Sequence, residues 1–325
     1  MLRIIYMGTP QFAVPALEAL IQHSKPGALL PEGYEIVTVI TRPDKPAGRG
    51  RGIVYSPVKQ TAVEHDLPVW QPGSFKKAEN SEALAAYKAD LYIVAAFGQI
   101  LPQNVLDQPH YGTLNVHASL LPKYRGADPI AECILQGDAE SGVSIMLLDA
   151  GIDTGPVLLR RTLTLAEDET TGTLTPRLAD QGAEALLEAL PLWIQGKITP
   201  EPQDEEHATH TRMLKKEDGR IQWERSAGAI SRQVRAYQPW PSAYTTWKGK
   251  LLKILTARPL DRQLATVVAP GTALVREHAG QKVLVVATGS GLLQVQRLQL
   301  EGKKAMTTEE FLRGYSQISE QPLGN

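Results

Sequence analysis

The run Leu91-Tyr92-Ile93-Val94-Ala95-Ala96 carries no charge and no polar alternation. A strand with this pattern has no face to give to water, so it belongs at the centre of a sheet covered on both sides. Around it, short apolar segments alternate with stretches of helical periodicity. Leu2–Gly8, Ile36–Thr41, Leu67–Trp70, Thr113–His117 and Val143–Leu148 read as strands. Gln11–His23, Ser56–Asp66, Asn80–Lys88, Ile130–Gln136 and Gly172–Gln195 read as helices. Such alternation predicts an α/β domain with a doubly wound, mostly parallel, Rossmann-like sheet. Ligands of these sheets gather beyond the carboxyl ends of the strands, where Asn115, His117 and the loop after Leu148 are expected.

Beyond Ile198 the character changes. Thr199-Pro200-Glu201-Pro202-Gln203-Asp204-Glu205-Glu206 is polar, acidic and proline-bearing, which marks residues 199–209 as a linker between a domain at 1–198 and another at 210–325. The last part holds one helix, near Ala227–Tyr237. Five short strand-like runs follow, at Thr245–Trp247, Leu251–Thr256, Gly271–Arg276, Lys282–Thr288 and Leu292–Leu298. That pattern predicts a small OB-like β-barrel, a common platform for nucleic acid. Ser24–Gly33 is expected to project as a surface loop, and Trp240, between Pro239 and Pro241, reads as a core plug.

Composition narrows the class. No apolar run approaches the roughly 18 residues needed to span a bilayer, and Leu2–Gly8 reads as a strand rather than a signal peptide. The single Cys133 sits in an apolar run and is expected to be buried and inert, as suits a cytoplasmic protein. The net charge of −1 hides a division. Residues 1–209 hold 16 Lys plus Arg against 26 Asp plus Glu, a balance of −10, while residues 210–325 hold 18 against 9, a balance of +9. A basic last part beside an acidic first part points to a polyanionic partner. Among the histidines, His65, His110, His207, His210 and His278 show no zinc-like spacing, and no metal is expected.

Asn115 and His117 are two apart on a predicted strand, so both side chains point from one face. Asp153 follows in Gly151-Ile152-Asp153-Thr154-Gly155. An amide donates to a developing oxyanion, an imidazole donates or shuttles a proton, and a carboxylate orients the pair. Such a trio runs acyl transfer with neither metal nor covalent nucleophile. By themselves, though, an Asn and a His at a strand end often only bond the next loop.

The continuation Ser119-Leu120-Leu121-Pro122-Lys123-Tyr124-Arg125-Gly126-Ala127-Asp128-Pro129-Ile130, with the Gly-Xaa-Asp-Thr-Gly element, resembles the folate-dependent formyltransferases. The likeness to their methionyl-tRNA branch runs from Met7-Gly8-Thr9-Pro10 to Gly302-Lys303-Lys304-Ala305-Met306. It departs in Lys123-Tyr124, where the family more often has Arg-Trp, and in Ala118, where it has Gly. The resemblance implies a formyltransferase fold with a C-terminal barrel, catalysis by Asn115, His117 and Asp153, and 10-formyltetrahydrofolate as co-substrate. It places the folate against Phe97, Gly98, Ile100 and Leu101, with Ser119, Leu120, Leu121 and Pro122 opposite. Methionyl initiator tRNA is the implied partner of a chain expected to act as a monomer. Arg42, Lys45, Arg49 and Arg51, in the Gly-rich segment after the second strand, would meet the acceptor stem, with Arg49 matching the family's key arginine. Lys248, Lys250, Lys303 and Lys304 are candidate phosphate contacts. A formyltransferase acting on an amino-sugar nucleotide or a purine precursor is the nearest alternative. A tRNA-binding module with a vestigial formyl site is the alternative from another class.

The charge division yields a test. Binding of tRNA should weaken steeply with salt, by about a thousandfold between about 50 and about 200 mM if some six phosphates are neutralised. A nearly flat salt response would remove the basic last part from the interface.

Overall fold

The computed structural model describes residues 1–47, 52–260, 268–278 and 281–324. They form two compact units. Met1–Pro129, Glu140–Thr164 and Thr175–Thr211 make the first, and Ile130–Ala139, Leu165–Leu174 and Arg212–Asn325 the second.

In the first unit the strands are β1 (Leu2–Gly8), β2 (Tyr34–Ile40), β3 (Val69–Trp70), β4 (Leu91–Ala95), β5 (Thr113–His117), β6 (Glu140–Leu147) and β7 (Val157–Thr164). The helices of the chain up to Ile194 are α1 (Val14–Gln22), α2 (Pro57–Glu64), α3 (Ala78–Ala85), α4 (Pro129–Gln136), which falls in the second unit from Ile130 onward, and α5 (Thr171–Ile194). The sheet order is β7-β6-β5-β4-β1-β2-β3. Strands β3, β2, β1, β4 and β5 run parallel, and β6 and β7 turn antiparallel. As the apolar run at Leu91 required, β4 is buried along its whole length. Each fully buried aliphatic side chain there is worth about 1.5–3 kcal/mol.

Strand β5 alternates. Leu114 and Val116 turn into the core, and Asn115 and His117 emerge on the other face. Behind Val116 lies Gly182 of α5, so close that a Cβ on Gly182 would stand 2.7 Å from Val116 Cγ1. The missing side chain lets the helix seat against the strand that carries the amide and the imidazole.

Two features differ from the sequence reading. The segment before Asp153 was expected to end beyond the carboxyl end of a parallel strand. Because β6 is antiparallel, Leu147 pairs with Leu114 and Ser144 with His117. The loop after Leu148 therefore starts at the opposite end of β5 and folds back over its face. Strand β7 was not anticipated, since Val157-Leu158-Leu159-Arg160-Arg161 lacks a clean alternation. The segment Ser24–Gly33 closes on itself through Tyr34 N–H donating to Ser24 O at 2.9 Å, with Leu30 buried beneath it.

In the second unit, β8 (Ala243–Trp247), β9 (Lys250–Leu260), β10 (Thr272–His278), β11 (Gln281–Ala287) and β12 (Leu292–Leu300) form an antiparallel, barrel-like sheet in the order β8-β9-β12-β11-β10. Its core includes Trp223, Ile230, Val234, Leu252, Leu284, Leu293 and Phe311. Helix α6 (Ala227–Ala236) starts at Ser226, whose Oγ accepts from Ala229 N. Helix α7 (Thr308–Tyr315) starts at a reciprocal cap between Thr307 and Glu310. Trp240, expected in the core, is 54% exposed and lies in a turn after α6. Cys133 is buried. Among the described residues no helix is long and apolar enough to cross a membrane.

Filling the space behind β5 tests the role of Gly182. Gly182→Leu should destabilise the chain by about 1–3 kcal/mol through overpacking, read as a lower urea midpoint. An unchanged midpoint would mean that α5 is free to move away from the strand.

Candidate active site

Three polar side chains converge on one face of β5. Asn115 and His117 are 8% and 6% exposed. Asp153 reaches them from the returning loop. Asn115 Nδ2 stands 3.5 Å from Asp153 Oδ1, and His117 Nδ1 stands 3.6 Å from Asp153 Oδ2. Neither is a short hydrogen bond, so the three groups border a common space without being consumed by one another. The outer nitrogen of the imidazole is engaged, with His117 Nε2 3.0 Å from Tyr124 O. A carbonyl only accepts, so Nε2 carries a hydrogen and Nδ1 is the nitrogen presented to Asp153.

The Asp153 loop is strongly shaped. Asp153 has φ +53°, in the left-handed region. Asp149 Oδ1 accepts from Thr154 Oγ1 at 2.6 Å and from Gly151 N at 3.0 Å, tying the turn from inside. A Cβ on Gly155 would lie 1.9 Å from Leu147 O, so only glycine fits the return to β7. Gly126 N–H donates to Asp153 Oδ2 at 2.8 Å and fixes the carboxylate.

Gly126 follows Arg125, whose side chain is 1% exposed. Arg125 Nη1 and Nη2 donate to Glu205 at 2.9 and 2.7 Å, and Nε donates to Gln203 Oε1 at 2.9 Å. Bidentate bonding to the guanidinium holds the Glu205 carboxyl below its usual range and raises the Arg125 guanidinium further. The backbone of Arg125–Gly126 pairs with His210–Thr211. The proline-bearing acidic segment thus delivers Gln203, Glu205 and Thr211 to the strand end, which its composition did not reveal.

The residues implied for the folate divide by exposure. Phe97 and Leu101 pack into an apolar core with Tyr92 and Val94, whereas Gly98 is exposed and Ile100 is 68% exposed. Ser119 and Leu121 are buried. Ser119 Oγ donates to Lys123 O, and Ser144 Oγ donates to Ser119 O and accepts from Leu121 N. Leu120 and Pro122 are half-buried. Among the described residues no group of three or more His, Cys, Asp or Glu is placed to hold a metal ion.

The candidate tRNA contacts fall in two places. Arg42 is exposed, and its backbone is held by Thr9 Oγ1 and Gln71 Nε2. Lys45 opens a short strand, Lys45–Ala47, paired with Gly52–Val54. Arg49 and Arg51 lie outside the described residues. In the second unit, β9 pairs with β12 through Leu252 and Leu300, and Glu301 N–H donates to Leu251 O. This register brings the exposed Lys248 and Lys250 to the same end of the sheet as Lys303 and Lys304, some fifty residues later in sequence.

Residues 2–190 match the formyl transferase family, and residues 213–316 match the formyl transferase C-terminal domain. The methionyl-tRNA formyltransferase of Agathobacter rectalis is 44% identical over 313 residues, covering 96% of both chains. That of Geobacter sulfurreducens is 43% identical, covering 97% of this chain and 94% of its own. Among solved structures, the N-formyltransferase from Helicobacter canadensis in complex with folinic acid and dTDP-3-aminofucose shares the fold, with a TM-score of 0.64 at 18% identity. The alignment covers 91% of this chain and 98% of that one. Matched along nearly its whole length by relatives of this identity, the chain belongs to the formyl transferase family, in its methionyl-tRNA formyltransferase branch.

Proposed function

We propose that Asn115, His117 and Asp153 form the centre at which this chain moves a formyl group from 10-formyltetrahydrofolate to the α-amino group of methionyl initiator tRNA, giving formylmethionyl-tRNA for translation initiation. The observation that carries the assignment is the meeting of an amide, an imidazole and a carboxylate within 3.6 Å on one face of β5.

In this reading the amine nitrogen attacks the formyl carbon, and the C–N bond to the substrate forms as the carbonyl oxygen takes on negative charge. Asn115 Nδ2 donates to that oxygen. His117, with Nε2–H committed to Tyr124 O, offers Nδ1 as the second donor when its ring is an imidazolium. Asp153 faces Nδ1 and balances that charge. The amine gives up a proton by way of Asp153 and water. The bond to folate N10 then breaks, N10 takes up a proton, and tetrahydrofolate leaves. Preorganised donors in a dry site contribute most to such a step, because they need no reorientation as charge develops.

Gly98, Ile100, Leu120 and Pro122 supply the open edges of the folate slot, and Phe97, Leu101, Ser119 and Leu121 hold those edges from inside. The cations at one end of the barrel-like sheet, Lys248, Lys250, Lys303 and Lys304, meet tRNA phosphates. Arg42, Lys45, Arg49 and Arg51 meet the acceptor end. The full-length similarity to methionyl-tRNA formyltransferases favours this substrate over an amino-sugar nucleotide or a purine precursor. The buried Cys133 suits a reducing cytoplasm.

The test is single-turnover transfer of labelled formyl to methionyl-tRNA, uncharged tRNA and an amino-sugar nucleotide. Transfer should occur to methionyl-tRNA alone. Asn115→Ala should slow it by about a hundredfold to a thousandfold, equivalent to roughly 3–4 kcal/mol of barrier, with tRNA affinity unchanged. Near-native transfer in Asn115→Ala and His117→Ala would remove the trio from the mechanism.

A further inference from the structure

Gln203 occupies a position that the family resemblance did not single out, in a segment that reads as a linker. Its amide uses all its principal capacities at once. Nε2 donates to Asp153 O at 2.8 Å and to Gly155 O at 2.7 Å, while Oε1 accepts from Arg125 Nε at 2.9 Å. The two carbonyls flank the turn that sets the direction of the Asp153 carboxylate. From Arg125 the connection closes, because Gly126 N–H holds Asp153 Oδ2. Backbone and carboxylate of Asp153 are therefore gripped from two sides by a ring running Arg125, Gln203, Asp153 and Gly126.

We infer that Gln203 is a positioning residue for formyl transfer, holding Asp153 in its left-handed conformation so that the carboxylate faces His117 and Asn115. An L-residue at φ +53° is held against a local steric cost, and it persists only where the surroundings favour it. Two N–H groups aimed at the carbonyls of residues 153 and 155 supply that preference. The amide is the side chain that does this while also accepting from a guanidinium. Asparagine, one methylene shorter, could not span the same three partners. Glu205 completes the arrangement by taking the other two nitrogens of the buried Arg125, which leaves Nε for Gln203.

The inference rests on the catalytic role given to Asp153, and the test separates the two. Gln203→Glu, Gln203→Leu and Asp153→Asn are compared with the native chain. The readouts are kcat and KM for methionyl-tRNA at saturating 10-formyltetrahydrofolate, the folate dissociation constant, and Tm. Gln203→Glu keeps an oxygen for Arg125 but sets a carboxylate oxygen against the carbonyls of Asp153 and Gly155, where the amide had its donors. Both Gln203 variants should lose between about tenfold and about a hundredfold in kcat, the scale of a misplaced group, with KM and folate dissociation within about twofold of native. Tm of Gln203→Glu should stay closer to native than that of Gln203→Leu, because the guanidinium keeps its acceptor. Native kcat in Gln203→Glu beside an inactive Asp153→Asn would overturn the positioning role and leave the trio standing. Parallel losses of kcat, folate affinity and Tm in both Gln203 variants would also overturn it, by making Gln203 a general structural residue. Native kcat in Asp153→Asn would instead reject the role of Asp153, and the inference with it.

Discussion

A guanidinium that is 1% exposed dictates much of the first unit. Taking such a charge out of water costs several kcal/mol unless it is paired and hydrogen-bonded. Arg125 meets that demand with a bidentate carboxylate and an amide, both from the segment around Gln203 and Glu205. Satisfying the charge brings that segment across the chain, and the same bonds bring Gln203 to the Asp153 loop. Glu205 is largely in water, so the pair is asymmetric. The buried partner has no alternative, whereas the exposed one is held in place by it. This is why a polar, proline-bearing stretch is tied both to Arg125 and to the Asp153 loop.

The parts of the fold written in periodicity were legible. The uncharged run at Leu91 became the fully buried β4, and the five strand-like runs after Ala243 became the antiparallel sheet. Asn115 and His117 share a face because a strand alternates with period two, which needs no tertiary information. The approach of Asp153 could not be read in the same way. Nothing local in Val143–Leu148 states strand direction, and the antiparallel pairing of β6 with β5 is a tertiary choice. Strand β7 was hidden because its inward and outward residues do not alternate cleanly at Leu158-Leu159-Arg160-Arg161. Trp240 was misread because a large aromatic side chain is usually buried, yet the turn it belongs to lies at the surface.

Chemistry and recognition rest on different physics in this chain. The proposed reaction centre is small, mostly buried and built from directional donors at strand and loop positions held by glycines and a buried arginine. The proposed recognition surface is a matter of charge and register. Pairing of β9 with β12 gathers lysines separated by some fifty residues, and no side-chain geometry as exacting as that of Asp153 is needed to attract a polyanion. Substitutions should therefore behave differently in the two places, steeply at the centre and gradually on the surface.

The central claim is that the formyl group is handled between Asn115, His117 and Asp153. A crystal structure of the chain with a non-transferable 10-formyl folate analogue tests it most directly. The account predicts the formyl oxygen within hydrogen-bonding reach, about 3.5 Å or less, of Asn115 Nδ2 and His117 Nδ1. A formyl group bound away from β5, with the trio still closed on itself, would contradict it.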